Sequence, residues 1–171
     1  MNPMWILRTG RLLLTPVGGA DRTELRALKA DPLVHAVMLG GVRGAQQADE
    51  DLAEDVIHWG AHGYGIWAVR ECSTNQLVGL TGLQARPDGR GIALRFAFRP
   101  QAQGRGLARE AAGAALRYGH ERAGLRRIVA VAREENTASR QVLGSIGMRA
   151  ESRFTQNGFT MLLYASMAEP A

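Results

Sequence analysis

The sequence predicts an α+β fold, a mixed and mostly antiparallel sheet of six to seven strands flanked by about four helices. Strand-like and helical runs follow one another as strand, two helices, three strands, helix, strand, helix, two strands. Neighbouring strands are joined by short polar turns, and the last two meet at Asn157-Gly158, a strong hairpin signal. At 171 residues the chain is long enough for one domain with a real core and too short for two comfortable ones, so residues 1–171 read as a single domain.

The first strand is RLLLTP (11–16), ended by Pro16. ADRTELRALKADP (20–32) is a helix opened by an Asp21 cap and closed before Pro32, because the residue ahead of a proline is pushed out of the helical region. Residues 33–46 hold three glycines and read as irregular. A second helix covers about 46–59 and starts in an acidic run, which suits the positive end of the helix dipole. GYGIWAVRE (63–71) and QLVGLTGLQA (76–85) are strands joined by the polar CSTN connection. After the turn RPDGRG, IALRFAFRP (92–100) alternates as a further strand.

In the helix that follows, Ala108, Ala112 and Leu116 recur at four-residue spacing, as do Leu107, Ala111 and Ala115. They give it a wide apolar face, and Gly119 or Gly124 ends it. RRIVAVA (126–132) is a short β-rich strand. In ENTASRQVLGSIGM (135–148), Asn136 caps a compact helix, Ala138, Val142 and Ile146 line one face, and Gly147 closes it. RAESRFTQNGFTMLLYASM (149–167) is the terminal hairpin.

Composition narrows the classes of function. Hydrophobic residues make up 46% and charged residues 22%, an ordinary globular balance with no membrane-length apolar run. Arginines interrupt the apolar stretch at the N-terminus and break any signal-peptide core. Cys72 is the only cysteine, which excludes an internal disulfide and a multi-cysteine zinc site and reads as a lone reduced thiol. The expectation is a cytoplasmic protein without membrane contact. Net charge is +5, yet Lys29 is the only lysine and the other 20 basic residues are arginines scattered along the chain. With aromatics at 6%, this is not a nucleic-acid footprint; the charge fits solubility and the binding of an anionic small molecule.

Residues 99–116, RPQAQGRGLAREAAGAAL, place Gly104 and Gly106 one arginine apart directly before a strong helix former. A flexible turn there suits a phosphate held against the helix N-terminus. A dinucleotide fingerprint would need a third glycine where Arg109 stands, and a Walker loop would need Gly-Lys-Ser/Thr, which is absent. The turn alone fits equally a tight strand-to-helix connection that holds nothing.

The surroundings carry a resemblance. QGRGLA, Gln103 to Ala108, resembles the Gln/Arg-x-x-Gly-x-Gly/Ala loop with which N-acetyltransferases of the GNAT superfamily cradle the pyrophosphate of acetyl-CoA. A register starting at Gln101 also fits, but the first one puts Glu110 and Ala111 where relatives have Glu-Ala. TGRLLLTP is similar to the N-terminal Thr-x-Arg-Leu-x-Leu strand of the ribosomal-protein-alanine acetyltransferase (RimJ/RimL-like) branch. QLVGLTGL resembles its third strand, and NTASRQVLGSIGM its Asn-x-x-Ser-x-x-x-Leu-x-x-x-Gly-Met/Phe helix. The resemblance covers nearly the whole chain. It implies the GNAT fold, split to admit acetyl-CoA, and transfer of an acetyl group to a primary amine in a direct ternary complex.

It also implies roles. The backbone N–H groups of Gln103, Gly104, Arg105, Gly106, Leu107 and Ala108 would hold the pyrophosphate, with Arg105 or Arg109 either reaching an outer phosphate or solvated. Phe96, Ala97 and Phe98 would pair with the pantetheine arm, and the N–H of Ala97 or Phe98 would polarise the thioester carbonyl. Asn136 would contact the arm. Ser139 would stand near the sulfur as general acid, because the tyrosine of many relatives is Leu143 here.

A base is missing from its usual place: relatives often carry a glutamate where this chain has Ala93, and a glycine where it has Arg95. Glu54, Asp55, His58 and His62 belong to the segment that borders the acceptor groove in the family, and the acidic run Asp49, Glu50, Asp51, Glu54 and Asp55 is either a solvated helix face or a means of concentrating a cationic acceptor. Without an ordered base, an α-amine, with a pKa of about 8, is the easier acceptor than a lysine at about 10.4. The expected acceptor is therefore a protein or peptide N-terminus; a small amine, or a catalytically weak acyl-CoA sensor, are the alternatives. Cys72 falls in a turn, which argues against a cysteine acyl-enzyme. No metal is expected, and the chain is read as a monomer or homodimer.

Overall fold

The computed structural model describes residues 1–35 and 41–170. Its strands are β1 (Leu7–Arg8), β2 (Leu12–Pro16), β3 (Ile66–Glu71), β4 (Leu77–Ala85), β5 (Ile92–Phe98), β6 (Arg127–Arg133), β7 (Arg149–Gln156) and β8 (Phe159–Met167). Between β2 and β3 lie α1 (Arg22–Ala30), α2 (Pro32–His35) and α3 (Ala45–His62). The helix α4 (Leu107–Glu121) connects β5 to β6, and α5 (Thr137–Ser145) connects β6 to β7. One sheet holds the strands in the order β1-β2-β3-β4-β5-β6-β8-β7. All neighbours are antiparallel except β5 and β6.

Side-chain alternation along the strands builds a core on each face of the sheet. On one face Leu94 and Phe98 of β5 pack with Leu107, Ala111 and Ala115 of α4 and with Leu143 of α5. On the other, Ala97, Leu80 and Ala68 pack with Leu25 and Leu28 of α1 and Leu52 of α3. That second face continues beyond the helices as a small cluster of Ala93, Val129, Leu163 and Ala165. The four-residue spacing expected in α4 is the stripe that enters the core: Leu107, Ala111 and Ala115 are each at most 1% exposed.

Several expectations are corrected. The sheet has eight strands rather than six to seven, because Leu7 and Arg8 pair with Leu14 and Leu13 in a strand too short to show a period. There are five α-helices among the described residues, because Pro32–His35 forms one turn inside the stretch read as irregular. Residues 36–40 of that stretch lie outside the described residues. Asp21 does not cap α1 with its side chain; its carboxylate instead accepts the Gly18 N–H and pairs with Arg70 at 2.8 Å. Gly119 lies inside α4, where a Cβ would come within 2.6 Å of Ile128, so its bareness serves packing; the chain turns at Gly124, at a φ of +70°.

Other expectations hold. Asn136 caps α5 by accepting the Ser139 N–H at 3.1 Å, and Gly147 follows the helix at a φ of +91°. Asn157 and Gly158 both take the positive φ that a type I′ hairpin turn requires. No helix among the described residues is long and apolar enough to cross a membrane.

Candidate active site

The parallel seam places the site. β5 and β6 are in register at a single pair, Ala93 and Val129, after which no pairing joins them. Both strands run in the same direction, so the gap opens at the carboxyl ends of both. α4 follows β5 and α5 follows β6, which brings the N-termini of two helices to the mouth of one gap. The cleft there is lined by Leu94, Arg95 and Phe96 of β5, Ala130 to Arg133 of β6, Asn136, Ser139 and Leu143, with Gln84, Phe159 and Met161 around them.

The free edge of β5 follows from the ladder on its other side. Arg99 N–H donates to Val78 O, and Phe96 stands opposite Thr81 and Phe98 opposite Gly79. Antiparallel alternation therefore turns Ala97 and Arg95 toward β4, and the N–H groups of Phe96 and Phe98 toward the gap. Of the two candidate donors to a thioester carbonyl, Ala97 and Phe98, only Phe98 points its own N–H the right way. Gln103 closes this edge by donating its side-chain amide to Phe98 O at 3.4 Å.

At the end of β5 the loop Gln103 to Gly106 leads into α4. Gly104 and Gly106 take φ values of +78° and +76°, the left-handed region where a side chain is strained. Gly106 is the N-cap of α4 and has no side chain with which to cap it. The N–H groups of residues 104–109 meet no acceptor among the described residues, apart from the first intrahelical bond, which comes later at Glu110. The outcome is a row of unsatisfied donors at the positive end of a 15-residue helix. A Cβ at Gly104 would meet nothing within 4 Å, so the space beside the loop is open.

The loop is braced from outside. Arg105, a candidate phosphate ligand, forms a forked pair with Glu71 at 2.6 and 2.9 Å, and this holds the Glu71 carboxyl below its usual range. Arg105 O accepts from Arg11 at 2.8 Å. Arg109 is exposed and makes no ion pair among the described residues, which leaves it the freer of the two arginines to meet an anion.

Across the gap, Asn136 and Ser139 are half-buried in the cleft wall above the buried Leu143. The Asn136 carbonyl oxygen is committed to the cap, so its amide hydrogens remain for a ligand. The Ser139 hydroxyl has no protein partner among the described residues.

The groove residues separate. Asp55 is buried and accepts a hydrogen bond from Gln84 Nε2 at 2.5 Å, which connects it to the cleft wall; burial raises its pKa. Glu54 is exposed. His58 leans on Tyr64 O at 2.9 Å, stacks on His62 with ring centres 4.4 Å apart, and does not line the cleft. Asp49 and Asp51 are engaged by arginines and Lys29, so two of the five acidic residues of the run are neutralised locally. Sequence reasoning missed Gln84, Glu71 and Phe159; nothing in a single sequence marks a glutamine at a strand end as part of a cleft.

Acetyl-CoA fits these residues on two observations. The loop offers unfilled N–H donors where a pyrophosphate would lie, and the gap offers an unpaired strand edge where the amides of a pantetheine arm would pair. A split parallel pair with such a loop at its open end defines the acyl-CoA-dependent N-acyltransferase class of α+β domain. Residues 11–149 match the model of the acetyltransferase (GNAT) domain family, and the chain belongs to that family.

YnaD of Bacillus subtilis (strain 168), described as an uncharacterized N-acetyltransferase, is 44% identical over 59 residues, 34% of this chain and 35% of that protein. The alignment thus spans about a third of the length of this curated relative. The crystal structure of the acetyltransferase (GNAT family) from Bacillus anthracis superposes with a TM-score of 0.81 at 26% identity, covering 95% of this chain and 98% of its own. The ribosomal-protein-S5-alanine acetyltransferase from Vibrio fischeri superposes at 0.80 with 13% identity, covering 96% and 97%, a likeness of fold alone.

Proposed function

We propose that residues 1–171 act as one acetyl-CoA-dependent N-acetyltransferase of the ribosomal-protein-alanine branch, transferring acetyl directly to an α-amine in a ternary complex. The unpaired edge of β5 running into the uncapped loop Gln103–Ala108 is the observation that carries this reading. Acetyl-CoA supplies an acetyl group activated as a thioester. The loop N–H groups and the α4 dipole hold the pyrophosphate, with Arg109 as an outer contact. Phe96 pairs its backbone with the arm and Asn136 adds its amide hydrogens. The Phe98 N–H meets the negative charge that develops on the thioester oxygen. Ser139 passes a proton to the departing sulfur and takes back the one that the amine nitrogen gives up, so its hydroxyl is restored. Ala93 supplies no base, so the acceptor favoured is the one that loses its proton most easily.

The test is a competition at pH 7 between two matched peptides. One has a free N-terminus and no lysine; the other is N-terminally blocked with one internal lysine. An α-amine with a pKa near about 8 is neutral in about a tenth of molecules at pH 7, a lysine in about four of ten thousand. The free N-terminus is expected to show the higher kcat/KM. A clear preference for the lysine peptide would show that an ordered base exists elsewhere and overturn the α-amine assignment.

A further inference from the structure

The α1–α3 side of the cleft carries a guanidinium that no carboxylate among the described residues touches directly. Gln84 stands opposite Ala93 and Gly82 opposite Arg95, so Gln84, Ala93 and Arg95 share one face of the sheet. All three line the cleft. Arg95 Nη1 donates to Gln84 Oε1 at 3.1 Å, and Gln84 in turn donates to Asp55. One amide therefore separates the guanidinium from the nearest buried carboxylate. No carboxylate among the described residues lies within ion-pair distance of Arg95.

The nearest carboxylate beyond Asp55 is already engaged by other cations. Lys29 and Arg43 share Asp51, at 3.4 and 3.0 Å. Asp51 is thus taken up by two other cations, and the carboxylate left on the Arg95 side is Asp55, held one amide away. His35 adds no further charge: burial, then Lys29 and Arg95, push its imidazole down to about 4, so it is neutral at pH 7. Burial also pulls the Arg95 guanidinium below its ordinary range, yet arginine keeps its proton. A desolvated cation without an anion is costly, and a planar fork aimed into a cleft matches a carboxylate. The opposite face of the gap is covered by α4 and α5, so an acceptor reaches the thioester from the Arg95 side.

We propose that Arg95 binds a carboxylate that the acceptor carries within a few bonds of its amine. This rests on the acetyltransferase reading and narrows its substrate class to a free amino acid or a polypeptide with an acidic first residue. The carboxylate would dock on Arg95, give its guanidinium a direct anionic partner and hold the amine at the mouth of the gap. The residue that stands where relatives have glycine then sets specificity.

The experiment compares leucine with leucinamide, and peptides beginning with Glu with peptides beginning with Gln, by kcat/KM at saturating acetyl-CoA. Alongside, the acetylated products of both pairs are titrated calorimetrically into the coenzyme A-bound protein, a readout that needs no turnover and from which amine basicity drops out. The acid is expected to exceed its amide by about ten- to a hundredfold in the titration of at least one pair, the range of a charge-assisted hydrogen bond. Which pair shows it tells the free amino acid from the acidic N-terminus. In Arg95→Gln the members of a pair should converge to within about threefold, while Arg95→Lys keeps part of the difference. Equal or undetectable binding of acid and amide in both pairs overturns the proposal, as does a preference that survives Arg95→Gln. If Arg95→Gln does not fold, wild type against Arg95→Lys decides. A carboxylate preference in the titration with no turnover of any amine would overturn the acetyltransferase reading and leave the Arg95 subsite standing.

Discussion

Arg11 Nε lies 2.8 Å from Glu110 Oε1, although 99 positions separate the two residues in the chain. The same carboxylate accepts the Arg11 N–H at 2.9 Å and the Thr9 hydroxyl, while Arg11 Nη1 reaches Arg105 O. The turn between β1 and β2 thereby clamps the first turn of α4 and the loop ahead of it. These contacts outweigh the opposing effect of burial and hold the Glu110 carboxyl below its usual range.

Glu110→Ala removes the three bonds to its carboxylate at once and leaves the Arg11–Arg105 contact in place. The Arg11 side chain is 48% exposed, so the ion pair itself contributes little, and the loss comes mainly from the Thr9 and Arg11 N–H donors. A loss of about 1–2 kcal/mol in urea denaturation is expected, together with weaker coenzyme A binding, because the loop is no longer held. Unchanged affinity in the variant would show that the clamp does not shape the loop.

Gly106→Val puts a β-branched side chain at a φ of +76°, with its Cβ about 3.5 Å from Arg11 Nη2. Backbone strain of about 1–2 kcal/mol is expected, which a folded domain of this size tolerates. Coenzyme A affinity should fall about tenfold or more, since the loop can no longer present its donors as a cradle. A folded variant with full affinity in calorimetry would remove this loop from the cofactor site.

Ser139→Ala separates chemistry from structure. The hydroxyl has no protein partner among the described residues, so the melting temperature should stay within a degree or so of wild type. A thiol has a pKa near about 8.5 and leaves partly unassisted, so kcat should fall by about 10- to 1000-fold with cofactor affinity retained. Full turnover where chemistry limits the rate would end the general-acid role.

His35 makes stability depend on pH. Its side chain is 5% exposed and its Nδ1 has no partner among the described residues. Burial, with help from Lys29 and Arg95, brings its pKa to about 4 from 6.5, against smaller opposing effects of the Leu28 backbone and Asp51. Between those values the unfolded chain binds a proton that the folded one refuses. The contribution is fully present above about 6.5 and is lost as pH falls toward 4, by about 3 kcal/mol at most. Urea midpoints at pH 7, 6 and 5 should fall for wild type and fall less for His35→Gln. Parallel slopes would show that His35 is not the group responsible.

Local signals made most of the fold legible. The Asn157-Gly158 turn, the Asn136 cap and the alanine stripe of α4 are each settled within a few residues, and each was readable. What was not readable depends on partners far away. Leu7 and Arg8 become a strand only because Leu13 and Leu14 lie alongside. Asp21 looks like a cap until Arg70, 49 positions on, claims its carboxylate. In the site, the loop and Ser139 could be named from the motif, but which backbone N–H enters the gap required the β4–β5 register. Arg95 was visible as a departure, between Ala93 and Ala97 on one strand face; its lack of an acid was not.

The single pairing between β5 and β6 also bears on how the chain avoids its own kind. An open strand edge at a protein's surface invites another molecule to add a strand, the first step toward aggregation. Here the edge around Phe96 faces inward across a gap bounded by Ala130 to Arg133 and roofed by α5. The edge is flanked by β6 and α5 rather than laid open at the outer rim of the sheet. On that placement the unpaired backbone of the seam is kept from the edge-to-edge pairing that an outer strand invites.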